Sequence, residues 1–227
     1  MIKQLFMVAL MICAGTAVAE ETLENPCAKI IGNCTFTVTS TDGATVVFSS
    51  KTNGQSFVDF QSADRARTKP IDDLYDSQLI WDCPDLLEQI RANPPGPPNS
   101  TFIDLKTKTV SDWVPAVFAI NCEKRVVAYE NDTVHEGSLF VSPLANLYQV
   151  INLDSYIHTD QPYAVQRANS HFDNQDNLAI TYMRESGEPG TLMYTKTSIT
   201  IPINYNGFVH SDQIDHSRSD DTSQLGD

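Results

Sequence analysis

The sequence lacks both a long apolar segment and an excess of basic residues. No stretch reaches the roughly twenty apolar residues that a membrane-spanning helix needs. Fifteen Lys and Arg residues stand against 29 Asp and Glu residues, and the formal net charge is −14 at pH 7. Such a field repels phosphate backbones and anionic lipid head groups. We therefore expect no nucleic-acid partner and no membrane insertion after signal cleavage.

The sequence also lacks the common catalytic motifs. It contains no G-x-S-x-G elbow, no G-x-G-x-x-G or Walker loop, no H-E-x-x-H and no S-x-x-K. His135-Glu136 starts like a zinc protease motif, but the second His is missing. Residues 173–177 resemble the opening of a calcium loop without an acidic residue at its closing position. The sequence thus predicts no cofactor, and it favours a protein that is not an enzyme without deciding the point.

One neighbourhood concentrates imidazole and carboxylate groups. It comprises His158, His171, Asp154, Asp160 and Asp173. Such groups can bind a transition metal or perform acid–base chemistry. The alternative interpretation is a set of surface polar residues between secondary-structure elements. We therefore treat the five residues as a candidate polar cluster and assign no catalytic, cofactor-binding or metal-binding residue.

Cysteine usage favours disulfides over a metal site. Cys27, Cys34, Cys83 and Cys122 remain beyond the first 19 residues, and none of them has the C-x₂-C spacing typical of zinc ligands. An even number of cysteines fits an oxidising compartment. Three pairings are possible. We favour Cys27 with Cys34, which are close in the chain, and Cys83 with Cys122.

The first 19 residues have the pattern of a secretory signal peptide. Lys3 supplies the positive charge, residues 5–13 form a short apolar run, and Ala17-Val18-Ala19 is an A-x-A cleavage site. A lipoprotein signal at Cys13 is disfavoured because Ile12 stands where a small residue is needed, and an uncleaved anchor is a further alternative. We expect export to the periplasm or the extracellular space.

The remaining chain is predicted to form one domain with a tail. Residues 20–207 are expected to be a single exported globular domain, and residues 93–99, which contain four prolines, a stiff connecting loop. After Gly207 the chain is polar and acidic with almost no apolar residues. Residues 208–227 are therefore predicted to be a disordered acidic tail.

Alternating apolar residues predict antiparallel strands. Phe36 and Val38 alternate with threonines, and Asp42-Gly43 suits a type I′ hairpin turn. Further β segments are predicted at 56–61, at 101–105, on both sides of the polar break 121–125, and in a closing hairpin at 178–183 and 191–203. Pro115 should sit at an edge or a bulge because it has no amide hydrogen.

Three segments have helical spacing. They are residues 70–79, residues 84–92 and residues 142–151, although residues 147–153 can also be interpreted as a strand. The fold class predicted is therefore α+β and β-rich, a mainly antiparallel sheet with two or three short amphipathic helices packed on it and stabilised by disulfides.

Two functional hypotheses follow. The first is a non-catalytic exported domain that binds a protein, a glycan or a cell-envelope component. The second is an exported hydrolase or metal-dependent enzyme of an unfamiliar type, for which the candidate polar cluster would converge on one cavity. Residues 118–125, followed by further strand and Gly137, are similar to the strand–Cys–basic hairpin of small exported bacterial domains of the surface-adhesin type. The resemblance covers only this hairpin, implies no role for any residue and assigns no family.

Overall fold

The fold is built almost entirely from antiparallel strands. The structure is a computed structural model that describes residues 21–61, 67–131, 137–157, 163–186 and 193–211. Within these ranges there are two single-turn 3₁₀ helices, Asp154–Tyr156 and Arg167–Asn169. The strands are β1 (Glu21–Leu23), β2 (Cys34–Thr39), β3 (Thr45–Ser50), β4 (Ser56–Phe60), β5 (Arg67–Ile71), β6 (Ser77–Cys83), β7 (Leu86–Arg91), β8 (Asn99–Asp104), β9 (Thr109–Val110), β10 (Val114–Pro115), β11 (Val117–Asn121), β12 (Val126–Asn131), β13 (Ser138–Pro143), β14 (Gln149–Asn152), β15 (Tyr163–Val165), β16 (His171–Phe172), β17 (Leu178–Ser186), β18 (Met193–Ile201) and β19 (Val209–His210).

The strands form sheets that follow one another along the chain. Sheet 1 has the order β2-β3-β4-β5, and sheet 2 has the order β1-β6-β7-β8-β10 with β9 also on β8. Sheet 3 has the order β11-β12-β13-β14-β19. In sheet 4, β17 pairs with β15 and β16 on one side and with β18 on the other. The prediction of a β-rich, mainly antiparallel fold is confirmed.

Consecutive sheets pack face to face through three hydrophobic clusters. One cluster joins sheets 1 and 2, with Phe48 and Leu79 fully buried. A second joins sheets 2 and 3 around Phe102 and Val127, and a third joins sheets 3 and 4 around Leu139 and Ile180. Sheets 2 and 3 are therefore covered on both faces.

The coverage of each sheet explains the sequence pattern of its strands. In sheet 1, β3 alternates between buried and partly exposed residues because only one face meets the core. In sheet 3, the first four residues of β12 and the first five of β13 are all buried. Strands that are covered on both faces have continuous apolar sequences, without the alternation of apolar and polar residues seen in a half-exposed strand.

The helix predicted at residues 70–79 is wrong. This segment instead forms the end of β5, a turn and the start of β6. Leu74 and Leu79 are both fully buried under sheet 1. Their spacing therefore comes from a turn followed by a strand, and it matches a helical stripe by coincidence.

The helices predicted at residues 84–92 and 142–151 are also wrong. Residues 86–91 form β7, in which Leu86 and Leu87 are buried on opposite faces of sheet 2. Residues 142–143 end β13, and residues 149–152 form β14, so the strand alternative held for 147–153 is the closer one. The amide of Leu144 donates to the carbonyl of Arg125, which fixes the turn after Pro143 to the neighbouring hairpin.

The first predicted hairpin is confirmed, but its turn differs from the prediction. β2 pairs with β3 from Cys34–Ser50 to Thr39–Thr45. The amide of Gly43 donates to Ser40 O, and the amide of Ser40 donates to Ala44 O. Gly43 has a φ of +87°, whereas Asp42 is not in the positive-φ region. The connection is therefore a three-residue loop with glycine at its left-handed position, because a type I′ turn needs positive φ at both central residues.

The polar break at residues 121–125 is a hairpin turn. Asn121 Oδ1 accepts hydrogen bonds from the amides of Glu123 and Lys124, at 3.0 and 2.9 Å. Arg125 takes a φ of +54° to close the turn. Pro115 lies in β10, the terminal strand of sheet 2, in agreement with its predicted edge position.

Both favoured disulfides are present. The short disulfide joins Cys27 and Cys34, and the long disulfide joins Cys83 and Cys122. The long disulfide links the β6–β7 turn of sheet 2 to the β11–β12 turn of sheet 3. It therefore crosses between two sheets, whereas the short one closes a local loop.

The signal-peptide prediction and most of the predicted tail lie outside the described residues. Val209 and His210, within the range 208–227 assigned to the tail, pair with Val150 and Gln149 of sheet 3. Across the described ranges, no helix has the length and apolar character needed to cross a membrane. The division into one domain with a tail stays a prediction.

Candidate functional site

Two described members of the candidate polar cluster, Asp154 and Asp173, bind the local backbone, whereas His171 is exposed in β16. Asp154 Oδ1 accepts a hydrogen bond from the amide of Leu139 at 2.9 Å, and its Oδ2 accepts one from Ser138 Oγ at 2.8 Å. This carboxylate therefore ties a 3₁₀ turn to β13. His158 and Asp160 lie outside the described residues.

Asp173 organises the turn between β16 and β17. Its Oδ1 accepts hydrogen bonds from the amides of Gln175 and Asn177, and its Oδ2 accepts one from Asn177 Nδ2 at 3.0 Å. The hydrogen bond from the Asn177 side chain is the main reason that the pKa of Asp173 is lowered. Among the described residues, no three His, Cys, Asp or Glu side chains are grouped to hold a metal ion.

A buried ion-pair network occupies the space between sheets 2, 3 and 4. Arg167 Nη1 and Nη2 donate to Glu88 Oε1 and Oε2 at 3.1 and 2.5 Å, and Nη2 lies 3.5 Å from Asp82 Oδ1. The Glu88 side chain has no exposed surface, that of Asp82 is 3% exposed and that of Arg167 is 31% exposed. Two-point pairing of a guanidinium with a carboxylate gives fixed geometry. This network joins the segment before β16 to the centre of sheet 2.

Two cavities meet at this network. A cavity of about 180 Å³ includes Asp82 and His171 in its lining, and one of about 460 Å³ includes Gln78 and Glu130. Arg167 lines both. Because the guanidinium is engaged by two acidic side chains of the protein itself, it is not available to recognise an anionic ligand. We interpret this centre as structural.

A third cavity, at the seam between sheets 2 and 3, is lined by exposed aromatic rings. It has a volume of about 370 Å³ and carries two large aromatic rings that are open to solvent. The exposed fraction is 53% for Trp113 and 60% for Tyr148. We call it the aromatic cleft, and the described residues of its lining are Asp112, Trp113, Val114, Pro115, Tyr129, Asn131, Leu147, Tyr148 and Ser211.

Trp113 is held at the edge of sheet 2 from both sides. Before it, the amide of Ser111 donates to Phe102 O, and Ser111 Oγ accepts a hydrogen bond from the amide of Phe102, each at 2.9 Å. After it, Val114 pairs with Ser100 of β8. The backbone on each side of Trp113 is thus anchored to β8, although the ring itself projects into solvent.

Tyr148 is held at the start of β14. Its amide donates to Asn146 Oδ1 at 3.2 Å, and its carbonyl accepts a hydrogen bond from the amide of Ser211 at 2.8 Å. The Tyr148 ring stacks on that of His210, with 6.1 Å between centroids and 7° between planes. The final strand, β19, therefore supports the ring from behind.

The floor of the aromatic cleft is part of the hydrophobic core. Val114, Tyr129 and Leu147 belong to the cluster that joins sheets 2 and 3. Tyr129 is 5% exposed, its hydroxyl lies 3.2 Å from Ser142 Oγ, and burial raises its pKa. The floor is therefore closely packed, and only the walls are open to solvent.

Neither exposed ring of the aromatic cleft, Trp113 or Tyr148, is singled out by a sequence motif. Tyr148 lies in the segment 142–151, whose spacing predicts a helix, and Trp113 lies between the predicted loop 93–99 and the polar break 121–125. A Trp beside an Asp and just before a proline-containing edge strand is a weak signal for exposure. No signal links it to Tyr148, which is 35 positions away in the chain.

Fold and cleft together define an antiparallel β protein of stacked sheets with an aromatic-lined cleft at one seam. No family model, curated protein or solved structure matches the chain. The function is therefore argued from the site alone.

Proposed function

We propose that this protein is an exported, non-catalytic domain that binds its ligand in the aromatic cleft. The secretory pattern of residues 1–19 supports export, and so do the two disulfides, which persist in oxidising compartments. The periplasm or the extracellular space is the proposed location. A protein, a glycan or a cell-envelope component is the proposed class of partner.

The exposure of two large rings on one cavity carries this proposal. Apolar side chains scattered singly on a surface need no explanation, and Tyr75 and Tyr194 are examples here. Trp113 and Tyr148 differ because they share one concave site above a packed floor. Trp and Tyr dominate the binding energy of many interfaces, since each offers a large apolar surface and a polar atom.

The test compares the cleft with an exposed tyrosine elsewhere. The secreted mature protein is incubated with purified peptidoglycan sacculi, outer-membrane vesicles and insoluble polysaccharides, and the fraction bound is measured by co-sedimentation. We expect Trp113→Ala and Tyr148→Ala each to weaken binding by about 30-fold, the effect of removing an interface hot spot. Tyr194→Ala is the matched control, because Tyr194 is 55% exposed but lies on sheet 4.

The folded state should survive these substitutions, since both rings are more than half exposed. Far-ultraviolet circular dichroism and the melting temperature check this. Unchanged binding in both cleft variants, or an equal loss in Tyr194→Ala, would contradict the proposal.

A further inference from the structure

We infer that the ligand of the aromatic cleft is a neutral glycan, a conclusion that rests on the function proposed above. The size of the cleft is the first reason. Its volume of about 370 Å³ lies within the roughly 300–1,000 Å³ typical of sites for small ligands. A stable protein partner instead covers about 800 Å² on each side. The cleft therefore has the size of a small-ligand site, and a longer sugar chain would place only a few of its rings in it.

The chemistry of the lining is the second reason. Sugar rings present flat C–H faces, which pack against aromatic rings, and a rim of hydroxyl groups. Trp113 and Tyr148 supply aromatic faces, while Asp112, Asn131 and Ser211 bring a carboxylate, an amide and a hydroxyl to the same cavity. Together these groups include hydrogen-bond donors and acceptors. This combination suits a ligand that is apolar on its faces and hydroxylated at its edges.

The charge of the lining excludes acidic sugars. Among the described residues of the lining, Asp112 is acidic and none is Lys or Arg. The whole chain carries a formal net charge of −14. Uronic acids, sulfated sugars and phosphorylated sugars would meet this field without a cation to pair with. The ligand should therefore carry no acidic group at the bound rings.

The strand pairing at the cleft disfavours an extended peptide. Peptides that add to a sheet need an unpaired strand edge. Here β12 pairs with β11 and β13, and β14 pairs with β13 and β19. The lining strand β12 therefore offers no edge, and β10, which lines the cleft with Val114 and Pro115, is the terminal strand of sheet 2 but has only two residues. A peptide could add only to this short strand, in which Pro115 has no amide hydrogen to donate.

The test measures affinity for defined sugars. Calorimetric titrations use hexamers of β-1,4-linked glucose, β-1,4-linked N-acetylglucosamine, α-1,4-linked glucose and β-1,4-linked xylose, with oligogalacturonate and a proline-rich peptide as comparisons. We expect at least one neutral hexamer to bind, and the oligogalacturonate and the peptide not to bind measurably. Trp113→Ala should weaken that affinity by about 30-fold, whereas Trp113→Phe, which keeps a ring, should weaken it by less than about fivefold.

Tryptophan fluorescence tests whether the ligand binds at the aromatic cleft. The chain has two tryptophans, so Trp81→Phe leaves Trp113 as the sole indole, and its emission should change on addition of the bound hexamer. Tyr194→Ala should match the unmodified protein in every titration.

The outcomes separate the two proposals. Binding of only the acidic sugar or only the peptide overturns the inference. The inference is also overturned if no neutral hexamer binds while co-sedimentation with envelope material still depends on Trp113. In that case the proposed binding function stands. If sedimentation is also insensitive to Trp113 and Tyr148, both proposals fail.

Discussion

Arg167→Met should destabilise the protein more than any single change at the surface. The substitution keeps the apolar stem but removes the cation that pairs with Glu88 and Asp82. The side chains of Glu88 and Asp82 are 0% and 3% exposed, so water can replace the lost partner only in part. Breaking a buried ion pair from one side costs about 3–5 kcal/mol. We expect about 3 kcal/mol, at the lower end, because Arg167 itself is 31% exposed.

The same geometry predicts an asymmetry. Glu88→Gln removes the fully buried charge and leaves Arg167, which solvent and Asp82 can still stabilise. This change should cost only about 1–2 kcal/mol, the cost of a weakened hydrogen bond. The double variant Arg167→Met, Glu88→Gln should be more stable than the sum of the single effects predicts, by at least about 1 kcal/mol.

Urea unfolding with the disulfides intact measures these free energies. Arg91→Met is the control, since Arg91 lies exposed at the end of the same strand as Glu88 and should change stability by less than about 0.5 kcal/mol. The reasoning is refuted if Arg167→Met costs less than about 1 kcal/mol, the value of a surface pair. It is also refuted if Glu88→Gln costs more than Arg167→Met.

Three further changes test the fold. Alanine substitution of both cysteines of the long disulfide should lower the free energy of unfolding by about 4 kcal/mol, and that of the short disulfide by about 2.5 kcal/mol. The difference follows from sequence separations of 39 and 7 residues, and urea unfolding measures it. Gly43→Ala should cost about 1–2 kcal/mol, measured by thermal melting, because its φ is +87° although an added Cβ would meet no atom within 4 Å. Burial, with help from the Asp176 carboxylate, raises the pKa of Tyr205 to about 12, so absorbance at 295 nm should show a phenol titrating near that pH that is missing in Tyr205→Phe. Because the pKa of Tyr205 is higher in the folded protein than the ordinary 10.0, its contribution to the free energy of unfolding should be fully present below pH 10 and should fall between pH 10 and 12. An equally steep loss of stability in Tyr205→Phe would contradict this.

The sequence correctly predicts those strands whose sheet has one face packed on the core and the other exposed to solvent. Phe36 and Val38 alternate with threonine because β2 lies in sheet 1, which meets the core on one side. Leu86 and Leu87 suggest a helix because adjacent apolar residues cannot share one face of a strand. In this protein each of the two leucines has its own core, on opposite sides of sheet 2. Local spacing cannot reveal that a second sheet will cover the outer face.

The sequence also cannot show which distant side chains meet. Glu88 looks like a polar residue on a helix, but it is the fully buried partner of Arg167, 79 positions away. Trp113 and Tyr148 come together only because the edge of sheet 2 packs beside sheet 3. Cysteine pairing is more predictable, since four residues allow three pairings and chain proximity favours one of them.

The seam between sheets 2 and 3 carries both the aromatic cleft and the long disulfide, which allows their roles to be separated. Cys83 and the cleft residues Val114 and Tyr129 belong to one hydrophobic cluster, and this packing holds the native seam together. A disulfide acts mainly by restricting the unfolded chain. Alanine substitution of both cysteines should therefore lower stability while leaving the affinity for the bound hexamer within about threefold, as long as near-ultraviolet circular dichroism shows a folded protein.

A loss of affinity beyond about tenfold in that folded variant, equal to 1.4 kcal/mol, would show that the bond orients the two sheets. The variant lacking the short disulfide is the control, because that bond lies outside the seam and should not alter binding. If both variants bind like the unmodified protein, the cleft is built by side-chain packing alone.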